Sequence, residues 1–181
     1  MNKTEISEII ITKHLKLRKW SLIEHYFPVI ILLSMPMIYL FLIIKSKIDN
    51  NSIAYDKVMS GINLPLIFLV VAIILLVIKH REFKFKTIDL KVSKNDFDKA
   101  VELTQTELNW IILEKNPKYV IAFSKNNFGG LGETIRIIKT HDLILINSIR
   151  NPYSGPFSGR NKENIESFKQ NLTKASVQQR V

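Results

Sequence analysis

The sequence predicts an α+β protein: a two-helix transmembrane hairpin joined to a small cytoplasmic domain of order β-α-β-β-β-β-α with an antiparallel sheet. Three observations carry this expectation. Residues 25–44 and 59–78 contain no Asp, Glu, Lys or Arg, and each run has about the 20 residues that a helix needs to cross a hydrocarbon core. Basic residues crowd the outer flanks of those runs. Beyond residue 83 the apolar residues recur first at the period of a strand and then at that of a helix.

Residues 64–78, LPLIFLVVAIILLVI, are apolar all round, whereas a surface helix of a soluble protein shows a polar face. The first run lies too far from the N-terminus, and is too long, for a cleaved signal peptide. Pro36 falls in the middle of that run, where it is expected to remove a backbone hydrogen bond and kink the helix, with Ser34 placed to satisfy a freed carbonyl. Pro28 and Pro65 are expected in first turns, where proline is tolerated. Trp20 and Tyr26 suit an interfacial belt.

Lys3, Lys13, Lys16, Arg18 and Lys19 precede the first run, and Lys79, Arg81, Lys84, Lys86, Lys91 and Lys94 follow the second. Between the runs, Lys45, Lys47 and Lys57 are offset by Asp49 and Asp56. The positive-inside rule therefore places both termini in the cytoplasm and the linker, residues 46–55, outside. Frequent Ile, Lys and Asn point to a bacterial source with an AT-rich genome, and so to a multi-pass protein of the inner membrane. The expected organisation is a basic N-terminal segment (1–24), the hairpin (25–79, spans about 25–45 and 59–79), the cytoplasmic domain (83–172) and a tail (173–181).

Lys plus Arg number 26 against 16 Asp plus Glu, a formal net charge of +10. Membrane topology and anionic head groups account for this excess better than nucleic acid, so membrane lipid is the expected partner and nucleic acid is not. With no cysteine in the chain, disulfides, thiolate metal sites, cysteine nucleophiles and lipidated cysteines are excluded.

Residues 5–20 carry two patterns. Ile9, Ile11, Leu15 and Leu17 alternate as in a strand, while Ile6, Ile9, Ile10 and Lys13 suit a helix on a membrane surface. The expectation is a strand or short interfacial segment packed on the domain, with a plain basic anchor as the alternative.

In the domain, Phe83 and Phe85 lead into Ile88, Leu90 and Val92 after a shift near Thr87 that suggests a bulge. Ser93 to Asp96 fits a capping box, and Phe97, Ala100, Val101, Thr104 and Leu108 keep helical spacing, predicting a helix over 94–107. Strands are predicted at 110–114, 119–124, 133–140 and 143–149, separated by turn-like segments and forming a meander. After a Pro/Gly/Ser-rich stretch at 151–159, Ile165, Phe168 and Leu172 predict a closing helix over 161–172.

The candidate site is an anion- or partner-binding surface made by Ser148, Arg150, Arg160, Asn161 and Lys162, where a helix N-terminus with free N–H groups meets three cations. On the bland alternative Ser158 or Asn161 caps the helix, Asn164 satisfies the loop and the arginines are solvated. Phe128 to Gly132 lacks the Lys-Ser/Thr of a P-loop and precedes a strand, so it reads as a hairpin loop. His14, His25, His80 and His141 are scattered, and Ser124, Ser148 and Ser154 lack a nucleophile elbow. No catalytic residue, metal site or cofactor is expected.

Glu133-Thr134-Ile135-Arg136-Ile137, then Ser148 and Arg150, then Gly159, Asn161 and Ile165 form a series of an acidic-apolar strand, a Ser/Arg strand and a Gly-x-Asn-x-x-x-Ile helix start. In this series residues 132–172 resemble a bacterial family catalogued as a domain of unknown function. The loop is about two residues longer than the family pattern, an aspartate before the glycine is missing, and the hairpin lies outside the resemblance. It implies a fold and no activity. The expected function is a non-enzymatic membrane protein whose cytoplasmic domain binds a partner protein or anionic lipid. An immunity-type or accessory subunit acting through its spans is the alternative, and a membrane-bound enzyme ranks third.

Overall fold

In the computed structural model, which describes residues 1–125, 131–153 and 160–178, the elements are α1 (Lys3–Thr12), α2 (Lys19–Ile48), α3 (Ser52–Ser60), α4 (Asn63–Arg81), β1 (Lys86–Ile88), α5 (Lys94–Leu108), β2 (Trp110–Asn116), β3 (Tyr119–Ser124), β4 (Glu133–Lys139), β5 (Ile144–Arg150) and α6 (Asn161–Gln178). They form two units, Met1–Lys16 with Glu82–Val181, and Leu17–Arg81.

In the helical unit, α2 and α4 are long and apolar enough to cross a membrane, with mean hydropathies of 2.6 and 2.3. They pack against each other and run antiparallel, since His25 near the start of α2 bonds the Lys79 carbonyl near the end of α4 (3.2 Å). Only 6% and 17% of their apolar windows are buried. At the other end Gly61 permits a close approach: a Cβ there would lie 2.8 Å from the Tyr39 hydroxyl. Three expectations change. The linker contains α3, capped by Asn51 through the Ala54 N–H (3.0 Å). Pro28 lies inside α2 rather than in its first turn, because the helix already begins at Lys19. Ser34 bonds the Ile31 carbonyl (2.7 Å), not that of Leu32, which Pro36 leaves without its helical donor.

The other unit holds a five-stranded antiparallel sheet of order β1-β5-β4-β3-β2. Its strands and helices follow the sequence pattern closely, and Ser93 caps α5 through the Asp96 N–H (3.1 Å). One face of the sheet packs on α5 and α6 through Val120, Ala122, Ile135, Ile137, Ile144 and Ile146 against Phe97, Val101, Phe168 and Leu172. Burying each large side chain contributes about 1.5–3 kcal/mol, and Phe168 also stacks on Trp110. α6 runs past the expected end at Leu172 to Gln178, with Ala175 fully buried.

Residues 5–20 do not form a strand. Asn2 caps a helix through the Glu5 N–H (2.7 Å), and Lys13 ends it in the left-handed conformation (φ 55°). The strand-like alternation survives only beyond that cap. There Leu15 N–H donates to the Phe83 carbonyl (2.9 Å) and Phe85 N–H to that of Lys13 (2.8 Å), with His14 opposite Lys84.

These segments cover the second face of the sheet. Its inward residues Tyr119, Ile138, Leu145 and Ile149 are buried together with Ile9, Leu15, Phe83 and Phe85. Asn147 on that face donates to the Glu82 carbonyl (2.7 Å) and the Lys84 carbonyl (3.1 Å). The Met1 ammonium bonds Tyr119 (3.1 Å) and Glu114 (3.3 Å). Burial pulls the half-buried Arg136 down from the ordinary guanidinium range, and Glu5 of α1 opposes that shift. Phe83 and Phe85 therefore belong to this cover, not to β1, and the three β1 pairs run in unbroken register. The bulge expected near Thr87 lies instead in β2, between Ile112 and Glu114.

If α1 is part of this core, Ile9→Ala, at a position 1% exposed, lowers stability by about 2–4 kcal/mol. Ile11→Ala, at a position 81% exposed, changes it by about 0.5 kcal/mol or less. Thermal unfolding of the two variants in one detergent checks the contrast, and equal shifts would contradict it.

Candidate functional site

β4 and β5 pair so that Ile135 faces Ser148 and Glu133 faces Arg150, while Ser124 of β3 lies opposite Glu133. The alternation of a strand then turns Ser124, Glu133 and Ser148 toward the helices. Gly132 precedes Glu133 at φ +82°, where a Cβ would lie 2.3 Å from the Phe123 ring, so glycine is required at this entry to β4. On α6 the apolar stripe of Ile165, Phe168, Leu172 and Ala175 also carries Asn164 and Asn171 inward.

The result is a buried polar network. Asn164 Oδ1 accepts from the Trp110 indole (2.9 Å), and Asn164 Nδ2 donates to Glu133 Oε2 (2.9 Å) and Ser148 Oγ (3.2 Å). The Ser148 hydroxyl donates to the same carboxylate oxygen (2.6 Å). Glu133 is 2% exposed, and Ser148 and Asn164 are inaccessible. Among the described residues the other Glu133 oxygen, Oε1, and Ser124 Oγ are buried without a hydrogen-bond partner. A second link ties Asn171 Nδ2 to Thr104 Oγ1 (3.1 Å) and Glu107 Oε2 (2.7 Å).

The five residues expected to form an anion- or partner-binding surface separate into two groups. Ser148 lies inside the network, and Arg150 pairs through Nη2 with Glu82 Oε1 (2.7 Å), both side chains largely buried. Neither offers a free donor to a bulky ligand at the surface. Arg160, Asn161 and Lys162 lie together at the start of α6. Arg160 pairs with Glu163 (2.6 and 2.7 Å), and Lys162 stands 3.8 Å from Glu166. The Arg160 carbonyl accepts the first helical bond from Asn164 N–H (2.8 Å), so Arg160 occupies the cap position and Asn161 is the first helical residue. Ser158, Gly159, Ser154 and residues 126–130 of the glycine-rich loop lie outside the described residues.

Asn164 does more than satisfy a loop: it joins β2, β4, β5 and α6. Motif reading passes over Trp110, takes Glu133 only as the start of an acidic-apolar strand and Asn164 only as a loop partner, and so misses the network that joins them. The signal was present, since an acid at an inward position of β4 and an amide on the apolar stripe of α6 must be paired if buried. Glu133 supplies the negative charge beside the first turn of α6, so the chain itself fills the place where an external anion was expected. A carboxylate bonded directly to a serine could in principle take its proton, but no substrate atom reaches Ser148. Among the described residues no three His, Cys, Asp or Glu side chains converge as metal ligands. His141 bonds Asp142 (3.0 Å) in an exposed turn, and this bond, aided by Lys91, holds the Asp142 carboxyl below its usual range. No protein-family model matches the sequence, and no curated protein shows significant similarity to it.

Asn164→Ala strands the indole N–H and removes one of two donors to a buried carboxylate, and is expected to cost about 3 kcal/mol. Asn164→Asp costs more at pH 7.5 and recovers part of the loss at pH 5, because two adjoining carboxyls hold a proton above the ordinary range. Unfolding curves at the two pH values test this, and a loss independent of pH would contradict it.

Hydrogen bonding to Arg160 lowers the Glu163 carboxyl from its ordinary value. A depressed acid contributes stability above its unfolded value of about 4.3, and the contribution is lost as pH falls through the folded value. Solvent screening keeps it to about 0.5 kcal/mol or less. In Arg160→Ala the Glu163 titration, followed by carboxyl NMR, should move back up to the ordinary range.

Proposed function

We propose that the chain is a non-enzymatic, multi-pass protein of a bacterial inner membrane, with both termini cytoplasmic, whose α+β domain binds anionic lipid or a partner protein. One observation carries the reading: α2 and α4 expose nearly all of their apolar surface, with 6% and 17% of the apolar windows buried. In water such a surface drives association, whereas hydrocarbon solvates it and a helix satisfies its own backbone there. The last turn of α4 carries Lys79, His80 and Arg81, and α2 opens at Lys19. These fit a cytoplasmic boundary.

Binding is favoured over catalysis because the most reactive buried groups, Glu133 and Ser148, are bonded to each other inside the fold. Arg160, Asn161 and Lys162 remain at the surface as contacts. A second reading, a subunit acting through its spans, draws support from a cleft of about 370 Å³ between α2 and α4. Leu33, Pro36, Leu40, Pro65 and Leu69 are among its apolar walls, and a partner helix could fill them.

The cysteine-free chain allows a direct test of topology. On intact cells a membrane-impermeant maleimide should label Asn50→Cys, and Lys174→Cys only after permeabilisation; the reverse pattern would overturn the orientation. Affinity purification of the detergent-solubilised protein should bring down anionic lipid or a stoichiometric protein. A preparation carrying neither would sink the binding reading.

A further inference from the structure

We propose that the cleft between α1 and the two turns β2–β3 and β4–β5 seats the phosphate head group of an anionic phospholipid; this deepens the reading of a membrane-anchored, lipid-binding domain and rests on it. The cleft measures about 520 Å³, within the range of ligand sites. Lys3 stands on its α1 wall, Lys118 on the β2–β3 turn and His141 on the β4–β5 turn, while Ile6 and Ile10 give it an apolar side.

Charge decides the class of occupant. Lys16, Lys91, Lys115 and Lys162 each stand beside a carboxylate, but among the described residues no acid pairs with Lys3 or Lys118. Asp142, the acid of the adjoining turn, is engaged by His141 and Lys91. Lys139 also lines the cleft, yet its ammonium stands 5.6 Å over the Phe97 ring and is not available to it. Two unmatched ammonium groups beside isoleucines suit a phosphate that carries hydrocarbon, not a bare inorganic anion.

The proposed anchoring by α2 and α4 points to the membrane as the source. With those helices in a bilayer, lipid is offered to the tethered sheet unit at a high effective concentration. On α1, Ile11 is 81% exposed, as suits a helix that meets acyl chains.

The selectivity follows from the hydroxyls. Ser7 donates to the Thr4 carbonyl and Thr140 to that of Leu143, so recognition falls to charge rather than to directional donors. The cleft should distinguish anionic from zwitterionic lipid, but not phosphatidylglycerol from cardiolipin.

The test is native mass spectrometry of the full-length protein extracted from vesicles of phosphatidylcholine with phosphatidylglycerol, and again with cardiolipin. The wild type should retain either anionic lipid over phosphatidylcholine. Lys3→Gln with Lys118→Gln should lower that preference about 30-fold, whereas Lys94→Gln with Lys174→Gln, an equal change of charge elsewhere, should leave it in place. Equal loss in both pairs, or in neither, overturns the proposal. So does displacement of the lipid by soluble glycerol phosphate, which would make the site one for a free phosphate ester. If the wild type instead leaves the vesicles under alkaline wash, the membrane reading fails first and the lipid seat with it.

Discussion

Backbone pairing between residues 13–15 and 83–85 holds the sheet-bearing unit together, because it closes a sheet domain across a helical insertion. The insertion, Leu17–Arg81, divides the unit's chain into two pieces. Closing a flexible loop of that length costs about 4 kcal/mol. The helical unit reduces this cost by folding back on itself, as the His25 bond to the Lys79 carbonyl brings its two ends together. Leu15 N–H and Phe85 N–H then lock the pieces with bonds of 2.9 and 2.8 Å. Once they are locked, α1 can lie on the sheet with Ile9 inward, and Asn147 can donate to two carbonyls of the returning chain. Without this pairing Leu145, Ile138 and Ile149 would face water.

Most of the sheet, α5 and α6 could be read from local period alone. Their residues alternate or recur at helical spacing because one core, against one sheet face, selects them. What could not be read depends on long-range contact. Residues 5–20 satisfy both periods at once: Ile9 serves a helix stripe and a strand alternation equally, and the choice is made by the Asn2 cap and the left-handed Lys13. β1 is shorter than the apolar run that contains it, because Phe83 and Phe85 are apolar for another reason, namely contact with a segment far away in sequence. α3 hides in a polar linker whose start is marked only by Asn51.

The surface expected to bind an anion was legible in part. A basic cluster at the start of α6 is present, but its inner partners take their meaning from Glu133. Locally that carboxylate only opens an acidic-apolar strand, whereas the register of β3, β4 and β5 places it beside Ser124 and Arg150 and beneath Asn164. A buried acid must be held by donors, and the donors here are Ser148 and Asn164 themselves. Ser148, one of the residues expected at a ligand site, is thus consumed in making the acid tolerable, and Asn164 with it. Charge in the sequence therefore locates a basic cluster but not how much of it faces outward.

The edges of the sheet bear on how a partner can engage this domain. β1 is three residues long, too short to template another strand. β2 has a free edge with Ile111 and Leu113 exposed, but its register shifts at Leu113, and Glu114 and Lys115 are tied to Tyr119 and Asp98. Bulges and charges on an edge oppose strand addition. With both sheet faces covered by the chain's own segments and both edges blunted, the open surfaces among the described residues are turns and the outer faces of α1, α5 and α6. Lys3, Lys118 and Lys162 stand exposed there, as do Glu102, Glu107 and Glu166 on the outer faces of α5 and α6. Under the proposed anchoring by α2 and α4, anionic head groups are the nearest complement to the basic part of that surface.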